Sequence, residues 1–291
     1  MSTIKLGPNR YGKAENRVVR VTKNGTKHEI RDLNVSSALS GDMEAVHYTG
    51  DNSTVLPTDT QKNTVYAFAK KYGIASPEEF GLLLARHYVD SQPTIHHARI
   101  ELEEYTWERN VVGLNAHPHS FVRSGRETRT AVVHYDGDRA WVVSGLKDLV
   151  VLNSTNSEFH GFLKDEYTTL RETRDRILAT EVTAQWRHSG DSVEWDKSYE
   201  VVKRCLLQAF ADTYSLSLQQ TLYEMGERVL ETCPDIVEVK LALPNKHHFE
   251  VDLSPFGMVN DNEVFFAADR PYGLIEGTVV RSVPSAGPAW D

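Results

Sequence analysis

Between Asn153 and Arg176 the sequence reads NSTNSEFHGFLKDEYTTLRETRDR. The run holds an aromatic ring, Phe159, close to Gly161, and it closes on Arg176. A ring that stacks and a planar guanidinium that donates two parallel hydrogen bonds suit a flat, anionic, hydrogen-bonding molecule. Downstream, Leu178, Val182, Ala184 and Trp186 share parity with Arg176, so a period of two sets Arg176 at the lip of an apolar sheet face. The commoner reading of such residues is structural, with Phe159 in the core and Arg176 in a surface ion pair with Glu172.

Four further places carry residue types that do chemistry. From Val237 to Leu253 the odd positions are Val237, Val239, Leu241, Leu243, Asn245, His247, Phe249, Val251 and Leu253. A continuous strand would turn Asn245 and His247 into an apolar face, where each unpartnered polar group costs roughly 1–3 kcal/mol, so protein, water or ligand must satisfy them. Pro244 allows a bulge that would break this register. Thr58-Asp59 stands at a helix start, where free N–H groups face an anion or a carbonyl edge, although such a pair is commonly a plain N-cap. Lys13, in YGKAENRV, is by default a solvated charge; crowded by burial or by other cations, a lysine becomes a base. Gln219, in SLSLQQTLYEMG, has an acceptor and two donors able to read an amide-like edge. His96-His97, His117-Pro118-His119 and His247-His248 invite a metal test, but no zinc-type His/Glu or Cys spacing accompanies them. No phosphate-binding glycine loop, dinucleotide fingerprint or flavin signature is visible either, and a metal site is not expected.

The elements that position these residues follow from periodicity. Arg17 to Thr22 and His28 to Val35 read as strands joined by a turn at Asn24-Gly25. Gly41 to Val55 reads as a loop or irregular strand. Val65, Phe68, Ala69 and Tyr72 recur at helical spacing after an N-cap at Thr58 or Asp59, with Gly73 as the stop. A second helix starts at Pro77, a half-buried strand covers Ala98 to Leu102, and strands fill Phe121 to Val150 around an Asp136-Gly137 turn. A strand from Ile177 to Trp186, helices over Ser198–Ala211 and Leu218–Glu231, a long strand from Ile236 and a last strand near Glu263–Ala267 complete the chain. Strands, two helices and further strands thus recur over 1–150 and 151–283, each sheet needing helices over one face, an α+β pattern. Residues 284–291 read as a flexible tail.

The bulk numbers exclude several classes. The chain has 291 residues, room for one large domain or two of moderate size, and 32 basic against 41 acidic residues give a net charge of −9. That charge argues against nucleic acid and against an anionic membrane surface, and it requires a local positive site for any anionic substrate. No apolar run is long enough for a transmembrane helix, and the start lacks a secretory pattern. Cys205 and Cys233 are expected as reduced thiols in a cytoplasm.

The segment NSTNSEFHGF..DEYTTL.ET.DRIL closely resembles the corresponding segment of the urate oxidase (uricase) family. YGK, TDTQKNTVY, SLQ and LPNKH also match family motifs, in the family's order, so the resemblance spans nearly the whole chain. It implies a tandem tunnelling fold (T-fold) assembled as a barrel-like homotetramer with active sites at subunit interfaces. It implies oxidation of urate by O2 without metal or organic cofactor, and the absence of a C-terminal peroxisomal tripeptide favours a bacterial source. It further implies that Lys13, Thr58 and His247 form a proton relay, and that Phe159 stacks on urate. Arg176 and Gln219 would clamp it, the Leu218 backbone would contact it, and Thr58 and Asp59 of a neighbouring subunit would bind the other edge. Asn245 would hold O2 or water above the ring. Leu218 stands where valine is common, a change of small consequence for a backbone contact. Two competing readings share the fold: a pterin-processing enzyme, which normally needs a zinc-ligand set and a glutamate anchor, and a catalytically silent purine-binding protein.

Overall fold

A computed structural model describes residues 4–125, 127–268, 270–282 and 287. The tail expected at 284–291 lies outside the described residues apart from Gly287. The chain divides into two compact units, one formed by Met1–Gly145 with Arg187–Lys197 and the other by Leu146–Trp186 with Ser198–Pro284.

In the first unit, β1 (Tyr11–Asn24) and β2 (Lys27–Gly41) pair antiparallel across a two-residue connection. Gly25 begins that connection at φ 58°, the positive value that a tight hairpin turn demands and glycine supplies without strain. The region expected as a loop or irregular strand holds a short helix, α1 (Glu44–Tyr48), and no further strand. Helices α2 (Thr58–Lys71) and α3 (Pro77–Asp90) follow, then β3 (Ile95–Glu104), a separate ribbon of β4 (Trp107–Val112) and β5 (Asn115–Arg123), β6 (Thr128–Tyr135) and β7 (Ala140–Asn153). The strand order is β1-β2-β3-β6-β7. Inward residues such as Leu33, Leu39, Ile100, Leu102 and Val133 meet Phe80, Leu84 and Tyr88 of α3 in one core. The N-cap of α2 is Pro57, not Thr58 or Asp59, because Pro57 takes extended backbone angles and Thr58 is already helical.

In the second unit the later part of β7 is followed by β8 (Leu178–His188), α4 (Trp195–Asp212), α5 (Leu218–Thr232) and β9 (Ile236–Asn245). A small ribbon of β10 (His248–Glu250) and β11 (Phe265–Ala267) precedes β12 (Gly273–Val280), and the strand order is β7-β8-β9-β12. Leu178, Val182, Ala184 and Trp186 are fully buried, as their shared parity predicts, and pack with Leu206, Leu222, Met225 and Leu241. The expected strand through Leu253 is corrected: β9 ends at Asn245, Lys246 N–H donates to the Ala179 carbonyl at 2.8 Å, and Phe249 is 51% exposed. The apolar face therefore ends at Leu243, although the strand runs on through Pro244 and Asn245, paired with Leu274 and Gly273. β12, opposite β9 from Gly273↔Asn245 to Val280↔Glu238, was not anticipated.

Candidate active site

The segment carrying Phe159 belongs to no long strand, yet it is tied on both sides. Phe159 N–H donates to Thr173 O at 2.9 Å and Thr173 N–H returns the bond at 3.0 Å. On the other side Glu158 N–H donates to Ser215 O at 2.8 Å and Ser215 N–H to Asn156 O at 2.9 Å. Gly161 turns the chain at φ 71°, and Phe162 stacks against Phe159 with ring centroids 5.0 Å apart. The Arg176 guanidinium lies 5.3 Å from the centre of the Phe159 ring, and its Nε donates to Ser157 Oγ at 3.2 Å. Glu172 does not pair with Arg176; it bonds Lys164 at 3.0 Å and accepts from Gly161 N–H at 3.4 Å. Among the described residues Arg176 has no carboxylate partner. Burial lowers its pKa, but a guanidinium keeps its charge at any physiological pH. A half-buried cation whose terminal nitrogens bond none of the described residues is poised for an external anion.

Asn245 closes β9 and His247 lies in the turn before β10. The His247 ring stacks on Phe249 at 5.6 Å. Burial first, and the Arg176 charge second, lower the His247 pKa, so the ring is neutral near pH 7 and can accept a proton. Phe159, Arg176, Asn245 and His247 line one cavity of about 510 Å³, together with Thr173 and Asp175. Asp175 is occupied: Thr155 Oγ1 donates to it at 2.9 Å and Asn262 Nδ2 at 3.1 Å. Leu218 and Gln219 open α5, whose N-cap Ser217 accepts from Gln220 N–H at 3.2 Å. Leu218 is buried and Gln219 exposed, and neither lines that cavity, but the Ser215 bonds fasten the Phe159 segment to the residues that lead into their helix.

Lys13, Thr58 and Asp59 belong to the first unit. Lys13 sits on β1 at a register shift before Asn16, and its N–H reaches Ser37 Oγ at 3.4 Å. Ser37 Oγ donates to Gln61 Oε1 at 2.7 Å, and the fully buried Gln61 amide donates to Leu56 O at 3.3 Å. Tyr11 hydroxyl donates to Leu56 O at 3.0 Å and accepts from Leu56 N–H at 2.9 Å. This network fixes the start of α2 against β1. The first helical bond of α2 runs from Gln61 N–H to Pro57 O, which leaves the N–H groups of Thr58 and Asp59 without intrahelical partners. Asp59 is held below the usual carboxylate range by Lys62 first, with Lys13 contributing through space.

The uricase family profile matches residues 9–134 and 142–276. The chain belongs to the uricase family. It is 54% identical to a uricase of Arthrobacter globiformis over 288 residues, 99% of this chain and 94% of that protein. It is 40% identical to a uricase of Dictyostelium discoideum, over 94% of this chain and 96% of that one. The crystal structure of the Arthrobacter globiformis uricase superposes with a TM-score of 0.94 at 53% identity, covering 99% of this chain and 98% of that one. The fold is therefore the α+β tandem T-fold of the uricase family.

Within that family frame, the residues that sequence reasoning missed are those that act by contact across segments. Ser157, which orients Arg176, and Tyr214, which bonds Glu158, carry no motif that marks them. Among the described residues no group of three His, Cys, Asp or Glu side chains could hold a metal ion. His117 and His119 instead touch each other edge to face at 4.6 Å, and His96 pairs with Asp42 at 2.9 Å. No helix of the described residues is long and apolar enough to cross a membrane.

Proposed function

We propose that the protein oxidises urate with O2 and water to 5-hydroxyisourate and hydrogen peroxide. The observation that carries this reading is the Arg176 guanidinium, without a carboxylate partner among the described residues, set beside the Phe159 ring in a cavity shared with Asn245 and His247, in a chain of the uricase family. Urate gives two electrons to O2, water adds its hydroxyl at the oxidised ring carbon, and two protons complete the peroxide, so atoms and electrons balance. Phe159 stacks under the purine. Arg176 donates two hydrogen bonds to one edge, while Gln219 and the Leu218 N–H hold the next. The Thr58 and Asp59 N–H groups of a neighbouring subunit bind the far edge, using the free donors of a helix start. Lys13, Thr58 and His247 pass protons, drawing one from the urate monoanion and returning one to peroxide. Asn245 holds O2 or water above the ring, and holding both reactants together removes part of the entropic barrier. The reading includes a homotetramer of tandem repeat units, 1–150 and 151–283, and needs no cofactor, because an electron-rich purine anion is itself the reductant. A cytoplasmic setting accords with the two buried free thiols, Cys205 and Cys233.

The test is ultraviolet loss of urate by chelator-treated protein, with O2 uptake followed in the same cuvette. Joint loss with peroxide formed is the expected result. Urate bound but not consumed would mean a silent purine-binding protein, and no binding would overturn the reading altogether.

A further inference from the structure

Glu158 immediately precedes the ring assigned to stack on urate, and it is only 8% exposed. Its carboxylate does not line the cavity. One oxygen, Oε1, accepts from the Tyr214 hydroxyl at 2.7 Å. The other, Oε2, lies 2.7 Å from His160 Nε2 and 3.5 Å from Arg174 Nη1. These partners come from three segments. Tyr214 precedes α5, which opens with Leu218 and Gln219. Arg174 stands two residues before Arg176, and His160 is next to Phe159. Backbone pairing joins the same segments only at isolated bridges, Ser157↔Ser215 and Phe159↔Thr173, with two hydrogen bonds at each. A carboxylate beside a bound anion is electrostatically unfavourable for binding, so its use lies on the scaffold side, where a nearly buried charge must be paired.

We infer that Glu158 is a positioning residue, a clasp that fixes Phe159, Arg176 and the start of α5 in one arrangement before urate arrives. The inference rests on the urate reading above. Binding then avoids the cost of ordering three separate segments, which is where preorganisation raises affinity. The clasp acts on the binding of urate rather than on the electron transfer, which a general loss of structure would not reproduce.

The experiment titrates urate into the protein without O2, so that nothing turns over, and measures steady-state kinetics in air for Glu158→Gln, Tyr214→Phe and the double variant. Glu158→Gln is expected to raise both Kd and KM about tenfold, the effect of one hydrogen bond to a charged group, with kcat nearly unchanged. Tyr214→Phe is expected to raise them less, and the double variant by less than the two single effects combined, because both changes weaken one interaction. Wild-type Kd in folded Glu158→Gln, or fully additive effects, would overturn the clasp. Should Glu158→Gln not fold, an unchanged Kd in Tyr214→Phe overturns it as well. Failure of the wild-type protein to bind urate would instead remove the urate reading itself.

Discussion

Arg176 is the local positive charge that a chain of net charge −9 needs if it is to hold an anion. Its terminal nitrogens, which bond none of the described residues, make a sharp expectation. Arg176→Ala removes a charge-assisted, two-pronged contact and should raise KM for urate about a hundredfold, with a smaller effect on kcat in steady-state assays. On the relay proposed above, Lys13→Ala should chiefly lower kcat, by about 10²- to 10⁴-fold. His247 adds a pH dependence. Its pKa is depressed by burial and then by Arg176, so the folded state resists protonation. The stability that neutral His247 contributes is therefore present above the ordinary histidine pKa of about 6.5 and is lost as pH falls from there to the depressed folded value. Arg176→Gln removes the repulsion but not the burial. The imidazole titration, followed by NMR, should move part of the way up toward the ordinary value, and an unmoved titration would contradict the proximity of the two groups. At this scale the sequence was informative where one run held both chemical types, as with Phe159 and Arg176. It was silent on Ser157 and Glu158, whose partners lie 19 and 56 residues away in the chain, at Arg176 and Tyr214.

The elements that carry these residues depend on close approach. A Cβ added at Gly226 of α5 would meet Val279 Cγ2 at 2.6 Å and Val279 Cβ at 2.8 Å. The first unit uses the same device, since a Cβ at Gly81 of α3 would meet Leu102 at 2.8 Å and Val133 at 2.9 Å. Alanine is the better helix former by about 1 kcal/mol, which favours Gly226→Ala. Overpacking costs about 1–3 kcal/mol, and the Val279 Cβ is fixed to the β12 backbone and cannot swing away. The clash therefore wins, and Gly226→Ala should lower the midpoint of chemical denaturation, whereas a raised midpoint would mean α5 sits looser on β12 than described. This reliance on glycine explains which elements were legible. Helices α2, α3 and α5 announced themselves by apolar spacing, and the first two also by Gly73 and Pro77 at their ends. β12 did not, because Gly273 and Gly277 interrupt its apolar pattern; Gly277 is required where Leu222 approaches within 2.9 Å of its absent Cβ. The end of β9 was misread because alternation in the sequence continues past Asn245, where the pairing with β12 stops.

At the scale of the whole molecule, the proposed site draws Phe159, Arg176, Asn245 and His247 from one unit and Lys13, Thr58 and Asp59 from the other. The proposal assigns Thr58 and Asp59 to a neighbouring subunit, and Lys13 travels with them because the Ser37, Gln61 and Leu56 network ties β1 to the start of α2. Large apolar side chains also remain open in the single chain, including Val111, Val112 and Leu114 on the β4–β5 ribbon. Such a row on the surface is compatible with the assembly proposed above. A shared site has a consequence that a site within one chain lacks. Lys13→Ala and Arg176→Ala each spoil every site when pure. Unfolded together, refolded and reassembled at equal amounts, they form mixed oligomers in which some sites receive an intact Lys13 from one chain and an intact Arg176 from its neighbour. Random closed assembly makes that about a quarter of sites, so the mixture should recover roughly a quarter of wild-type turnover. Recovery should follow the mixing ratio, peak at equal amounts and vanish when either variant is alone. Mixed samples that stay as inactive as their components, despite containing both chains in one oligomer, would place Lys13 and Arg176 of each site on the same chain and end the shared-site proposal.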